Sequence, residues 1–157
     1  LNHDPGTGLF NRKYLQEQLD TIKLATNPRV SVIMCDIDNF KLINDQHGHI
    51  IGDEVLIEIG RALEYALGDN VNGFVSRFGG DELVLVIFEQ DKDFTTALIE
   101  TIRHNVKKVD EKYKGRFHVS LSVGMASLED GITIEELLDR ADHFMYLDKE
   151  KHKHRGV

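Results

Sequence analysis

The sequence has little with which to brace itself covalently: one cysteine, Cys35, and no tryptophan. A single thiol closes no intrachain disulfide, so packing alone must hold the fold. Cys35 sits inside an apolar run and reads as a small buried hydrophobe. There are only two prolines, Pro5 and Pro28, and both lie outside periodic segments. No repeat, low-complexity stretch or linker interrupts the chain. No apolar run approaches the ~20 residues of a membrane helix, and no signal peptide is visible. Basic residues are in deficit, 19 Lys and Arg against 27 Asp and Glu, for a net charge of −8. That balance argues against non-specific nucleic-acid binding. It leaves nucleotides open, because a bound cation supplies positive charge locally.

What is present fits an ordinary globular domain, with 41% hydrophobic and 29% charged residues. A chain of 157 residues is one domain's worth and hides roughly 68–70% of its unfolded surface. The expectation is a single domain over 1–157, cytoplasmic, and cut from a longer protein, since it begins at Leu1 without an initiator Met.

Periodicity places the elements. Leu15, Leu19 and Ile22 recur at helical spacing, which predicts a helix from Asn11 to about Ala25. Val30 to Asp36 is a nearly continuous apolar run ending in an acid, the pattern of a strand buried on both faces. Val55, Ile59, Leu63 and Leu67 predict a helix from about Gly52 to Leu67. Phe74 to Phe78 and Leu83 to Phe88, joined through Gly79-Gly80-Asp81-Glu82, predict a hairpin. Ile99, Ile102, Val106 and Val109 predict a helix from Asp93 to Tyr113. Strict alternation from Phe117 to Met125 predicts a strand with one buried face. Thr133-Ile-Glu-Glu136 is a capping box that opens a helix carrying Leu137, Leu138, Ala141 and Met145. The order α, then β-α-β-β-α-β-α, predicts an α+β fold: a mostly antiparallel, ferredoxin-like sheet of the palm type flanked by helices.

The chemistry gathers in two places. Asp36 ends the first buried strand, and Asp81 and Glu82 sit at the hairpin tip. In a ferredoxin-like sheet the first strand neighbours the hairpin, so these acids could converge. Clustered carboxylates without a basic neighbour in sequence suit a hard divalent cation such as Mg²⁺; the plainer reading is acids decorating turns. Between them, Asp36 to Asp53 (D-I-D-N-F-K-L-I-N-D-Q-H-G-H-I-I-G-D) forms a dense polar loop with a short helix. Such a strand-to-helix turn points backbone N–H groups where phosphates dock. Lys41 adds a cation, and Asn44 and Asp53 offer the donors and acceptors that read a base edge. Asp38 reads as a helix cap rather than a metal ligand. His47 and His49 lie in a glycine-containing loop without a third soft ligand, and read as structural or as ribose neighbours.

These motifs together resemble one family. The chain is similar to the GGDEF domain of diguanylate cyclases over essentially its whole length. D-P-G-T-G-L-F-N-R (Asp4 to Arg12) is similar to the family's opening motif, with Gly6 where Leu is usual. Asp36 to Asp53 is similar to its metal and guanine segment, and R-F-G-G-D-E-L (Arg77 to Leu83) to its signature, with Leu83 for Phe. A-D-H-F-M-Y-L-D-K (Ala141 to Lys149) resembles its closing helix. The resemblance implies two protomers facing across a two-fold axis, each holding one GTP. It also implies two Mg²⁺ or Mn²⁺ ions per active site, condensation to cyclic di-GMP with loss of pyrophosphate, and an upstream sensor domain.

By match, Asp36 and Asp81 are metal ligands with the Ile37 carbonyl, Asp81 holds the position assigned as base, and Glu82 adjoins it. Gly79 and Gly80 keep the turn open where phosphate approaches. Asn44 and Asp53 read guanine and His49 approaches the nucleotide. Phe40 and Lys41 lie by the phosphates, with Lys41 as transition-state stabiliser. Lys149 and Lys153, four apart on one helical face, bind phosphate; Arg is usual at the second. The bland alternative for this pair is a solvated basic tail running on to Arg155. Asp148 and His152 replace small residues and are expected to loosen the phosphate contacts. Where the family often carries R-x-x-D as a product-inhibition site, this chain has Asn70 and Gly73, so that site is absent. The competing class is a GTP-binding regulatory module without turnover; intact Asp36, Asp81 and Glu82 favour catalysis.

Overall fold

A computed structural model describes residues 1–154; Arg155 to Val157 lie outside the described residues. Four strands form one antiparallel sheet in the order β2-β3-β1-β4: β1 (Val30–Ile37), β2 (Gly73–Gly79), β3 (Glu82–Phe88) and β4 (Leu121–Ser127). The helices are α1 (Arg12–Leu24), α2 (Phe40–His47), α3 (His49–Leu67), α4 (Lys92–Lys112) and α5 (Ile134–His154). The expected ferredoxin-like α+β arrangement is therefore the observed one.

Every residue of β1 is buried. Its side chains alternate between two cores, because a strand sends successive residues to opposite faces. Ile33, Cys35 and Ile37 pack with Val55, Ile59 and Leu63 of α3 and Ile102 of α4. Val32 and Met34 pack with Leu15 and Leu19 of α1 and Leu137 and Met145 of α5. Each such side chain removed from water contributes roughly 1.5–3 kcal/mol. Helices on both faces explain why an antiparallel strand reads as continuously apolar.

Local signals set most boundaries. Asn11 caps α1 by accepting from the Tyr14 amide at 2.9 Å, and Asp91 caps α4 by accepting from Phe94 at 2.9 Å. The capping box holds: the Glu136 amide donates to Thr133 Oγ1 at 3.1 Å, and its carboxylate accepts from the Thr133 amide at 3.3 Å. Two expectations need correction. Gly52 does not begin the third helix; α3 starts at His49, and only Gly48 separates it from α2. His47 and His49 are thus helix-terminal residues, not loop residues.

The last strand is also displaced. It spans Leu121–Ser127 rather than Phe117–Met125. The Val119 amide is taken by the Asp110 carboxylate at 2.7 Å, so the chain before Leu121 is held by α4 and not by the ladder. Both faces of β4 are buried: Val123 meets the α3–α4 core, while Ser122, Gly124 and Ala126 lie on the other side. These residues are small because α5 crosses directly over them. A Cβ at Gly124 would lie 2.1 Å from the Met145 amide nitrogen and 2.2 Å from the Ala141 carbonyl oxygen. Both are backbone atoms that cannot step aside. Gly124→Val is expected to cost about 3 kcal/mol, seen as a lower urea midpoint at unchanged slope.

Candidate active site

The strand order decides the site. Because β3 lies beside β1, Asp36 is the register partner of Glu82, and the hairpin tip hangs over the end of β1. The turn itself is Gly80-Asp81. Gly80 has φ of +39°, a left-handed conformation that suits glycine. The register slips between Arg77 and Gly79, a bulge that re-aims the tip. The Ile37 amide donates to the Asp81 carbonyl at 3.3 Å. Arg77, quoted in the signature but given no role from sequence, fastens the turn: Nε donates to the Gly80 carbonyl at 3.0 Å and Nη1 to Asp4 at 3.1 Å.

Asp36 and Asp81 converge. The Asp36 carboxyl lies within hydrogen-bonding reach of Asp81, and Asp36 itself is 5% exposed. Burial, then the Asp36 contact and its charge, push the Asp81 carboxyl up to about 6. Glu82 is also raised, by burial first and then by Asp36 and Asp142. Lys149 reaches in from α5 and forms an ion pair with Asp36; that contact raises its own affinity for the proton. A pair of crowded carboxylates beside one ammonium group is a site in want of more positive charge.

The donor set fits a divalent ion of the Mg²⁺ kind. No group of three or more His, Cys, Asp or Glu side chains is placed to hold a metal among the described residues. The carboxylates of Asp36 and Asp81, with the Ile37 carbonyl, match an ion held by one or two carboxylates that takes its other ligands from phosphate and water.

Other expected residues are distributed around this point. Phe40 opens α2 and packs on the α3–α4 core. Lys41 has a side chain 90% exposed and pairs with Asp45 at 2.9 Å, so it is not drawn to the carboxylates. Asn44 on α2 faces the first turn of α3, beside exposed His49 and Asp53. Gly79 and Gly80 are exposed at the tip. Lys153 pairs with Glu150 at 3.4 Å in solvent, away from Asp36.

Sequence reasoning missed a buried polar network behind the acids. Asp38 does not cap α2; the cap position is Asn39, which makes no side-chain cap bond. Asp38 is 4% exposed and its two oxygens are taken: Oδ1 accepts from Ser122 Oγ at 2.5 Å, and Oδ2 from Ser120 Oγ at 2.6 Å and His152 Nδ1 at 2.6 Å. Asp148 accepts from the Val123 amide at 2.9 Å and pairs with Arg103 at 3.4 Å. Asp148 and His152 therefore fasten α5 to β4 on either side of Lys149. The only advance signal was that both depart from small residues in the pattern the chain resembles.

The pattern of the family described as Diguanylate cyclase, GGDEF domain, matches residues 1–155. The chain belongs to the GGDEF family. It is 38% identical over 159 residues to diguanylate cyclase DgcM of Escherichia coli K12, covering 98% of this chain and 37% of that protein. It is 39% identical over 153 residues to the response regulator PleD of Caulobacter vibrioides, covering 93% of this chain and 33% of that protein. The GGDEF domain thus spans well under half the length of these curated relatives. Among solved structures it is similar to diguanylate cyclase SiaD of Pseudomonas aeruginosa, crystallised with its activator SiaC. That likeness has a TM-score of 0.84 at 31% identity and covers 95% of this chain and 58% of that one. No helix among the described residues of this GGDEF domain is long and apolar enough to cross a membrane.

The raised Asp81 carboxyl sets a pH dependence. Its folded value of about 6 exceeds the ordinary 3.8, so the folded state binds more protons between those limits. Stability falls as pH rises through that window, and the loss persists above it. In metal-free protein, Asp81→Asn is expected to raise stability at pH 8 by about 1 kcal/mol, after allowing for solvent screening. That is about 2–4 °C in melting temperature, shrinking as pH falls to 4.

Proposed function

We propose that this GGDEF domain condenses two GTP molecules into cyclic di-GMP, releasing pyrophosphate, when two copies face each other. The observation that carries this reading is the convergence of Asp36 and Asp81 beside Lys149. In each half-reaction a 3′-hydroxyl of one GTP forms a bond to the α-phosphorus of the other, and the bond to the bridging oxygen of pyrophosphate breaks. Asp81, half-buried and with a raised pKa, takes the hydroxyl proton. Lys149 neutralises phosphate charge from the helix side, with Lys153 and Lys41 as outlying cations that reach the phosphates once nucleotide is present.

Asp36, Asp81, Glu82 and the Ile37 carbonyl would hold two Mg²⁺ or Mn²⁺ ions per site, which would stabilise charge developing on the phosphate and lower the pKa of the attacking hydroxyl. Asn44 and Asp53 read guanine, since a carboxylate accepts from guanine N1–H and N2–H₂, where adenine offers acceptors. Phe40 shapes the α2 end of the phosphate site, His49 approaches the nucleotide, and bare Gly79 and Gly80 let phosphate close on the backbone. The relatives are longer than this chain, and in this reading an upstream sensor segment pairs two domains. We place the domain in the cytoplasm, where GTP is available.

Product inhibition is absent in this reading. Asn70 and Gly73 stand where an Arg and an Asp would bind product. At Gly73 a Cβ would lie 2.6 Å from the Val86 carbonyl oxygen, so this backbone path leaves no room for a side chain.

Purified protein incubated with GTP and Mg²⁺ should yield cyclic di-GMP by chromatography. Asp81→Ala should lower the rate at least about 100-fold, as loss of a general base does. GTP bound but never converted, even in a fusion that enforces dimers, would instead identify a regulatory module. Added cyclic di-GMP should leave the initial rate unchanged; a fall at micromolar product would overturn the absence of feedback.

A further inference from the structure

Asn44 presents an unusual arrangement. Its Oδ1 is buried and has no hydrogen-bond partner among the described residues. A side-chain amide that reads a ligand must be held in one orientation, and hydrogen bonds commonly do this. None does so here. What confines the amide is space: Gly48 alone links α2 to α3, which brings Asn44 against the first turn of α3. There Gly52 is buried, and a Cβ built on it would lie 1.7 Å from Asn44 Oδ1, 2.7 Å from Cγ and 3.3 Å from Nδ2. The Asn44 amide therefore occupies the volume that any other residue at 52 would fill.

Gly52 has no conformational reason to be glycine. It lies inside a helix, where its amide donates to the Gly48 carbonyl at 3.1 Å and where alanine is the better helix former. The atoms a Cβ would strike belong to the end of a flexible side chain, not to backbone. Substitution should thus be tolerated by the fold while the amide is turned away.

We infer that Gly52 is a positioning residue for base recognition: the missing Cβ is the seat that fixes Asn44 toward the nucleotide. The inference rests on the reading of Asn44 as a guanine contact and adds what holds it. It also explains the juxtaposition of Gly52 and Asp53, the first seating one base-reading side chain and the second supplying another.

The test compares wild type, Gly52→Ala, Asn44→Ala and the double variant. Calorimetry with Mg²⁺ measures binding of 3′-deoxy-GTP, which lacks the attacking hydroxyl. Inorganic tripolyphosphate serves as a ligand with no base. Gly52→Ala should melt no lower than wild type and should bind 3′-deoxy-GTP about tenfold more weakly, the worth of roughly one hydrogen bond. Tripolyphosphate affinity should stay within about twofold, which a general loosening of the site would not allow. The double variant should bind no more weakly than Asn44→Ala alone, because the two changes remove the same contact. Wild-type affinity in Gly52→Ala, multiplication of the two losses in the double variant, or failure of Gly52→Ala to fold would each overturn the inference. Wild-type affinity in Asn44→Ala would sink the guanine reading itself, and the inference with it.

Discussion

Two carboxylates that repel each other, Asp36 and Asp81, are forced together by a sheet whose order leaves them no alternative. Asp36 is anchored at the end of a strand with no exposed residue, so it cannot retreat into solvent. Asp81 is delivered by a two-residue turn pinned through Arg77. Burial first, and then the neighbouring Asp36, raise the Asp81 carboxyl. Crowding negative charge in this way costs stability.

Among the described residues Lys149 is the ammonium group that pairs with Asp36, and its placement depends on the far end of the chain. Two features hold α5 there. Gly124 lets the helix backbone touch the strand. Asp148 and His152 then bind it laterally, to the Val123 amide and to Asp38. The same network spends both oxygens of Asp38 on serine and histidine donors, which keeps that acid out of the ligand set. That leaves Asp36 and Asp81 as the carboxylates at this point, few enough that an ion there would take further ligands from phosphate and water.

At three positions glycine serves by what it omits. At Gly52, Gly73 and Gly124 the absent Cβ makes room for an amide, a carbonyl and a helix backbone respectively. At Gly80 of the hairpin tip, as at Gly8, Gly48, Gly68, Gly115 and Gly131, the positive φ is the point instead.

Much of this was legible in the letters. Helical and strand periods are local, so α1, α3, α4, β1 and the hairpin could be read from spacing, and the Thr133–Glu136 capping box marked the start of α5. The acids at the strand end and the turn were visible as a pair awaiting a fold. The start of β4 was not legible, because alternation continues through Phe117 and Val119 while the backbone there is held by Asp110. Nor was the true work of Asp38, whose partners lie more than 80 residues away. The chain by itself therefore determined its elements and the chemical types at the site, since these follow from neighbours in sequence. Which carboxylates converge, which lysine pairs with them and which glycine lies against the Asn44 amide were decided only by the packed sheet, because those contacts join segments that no local pattern links.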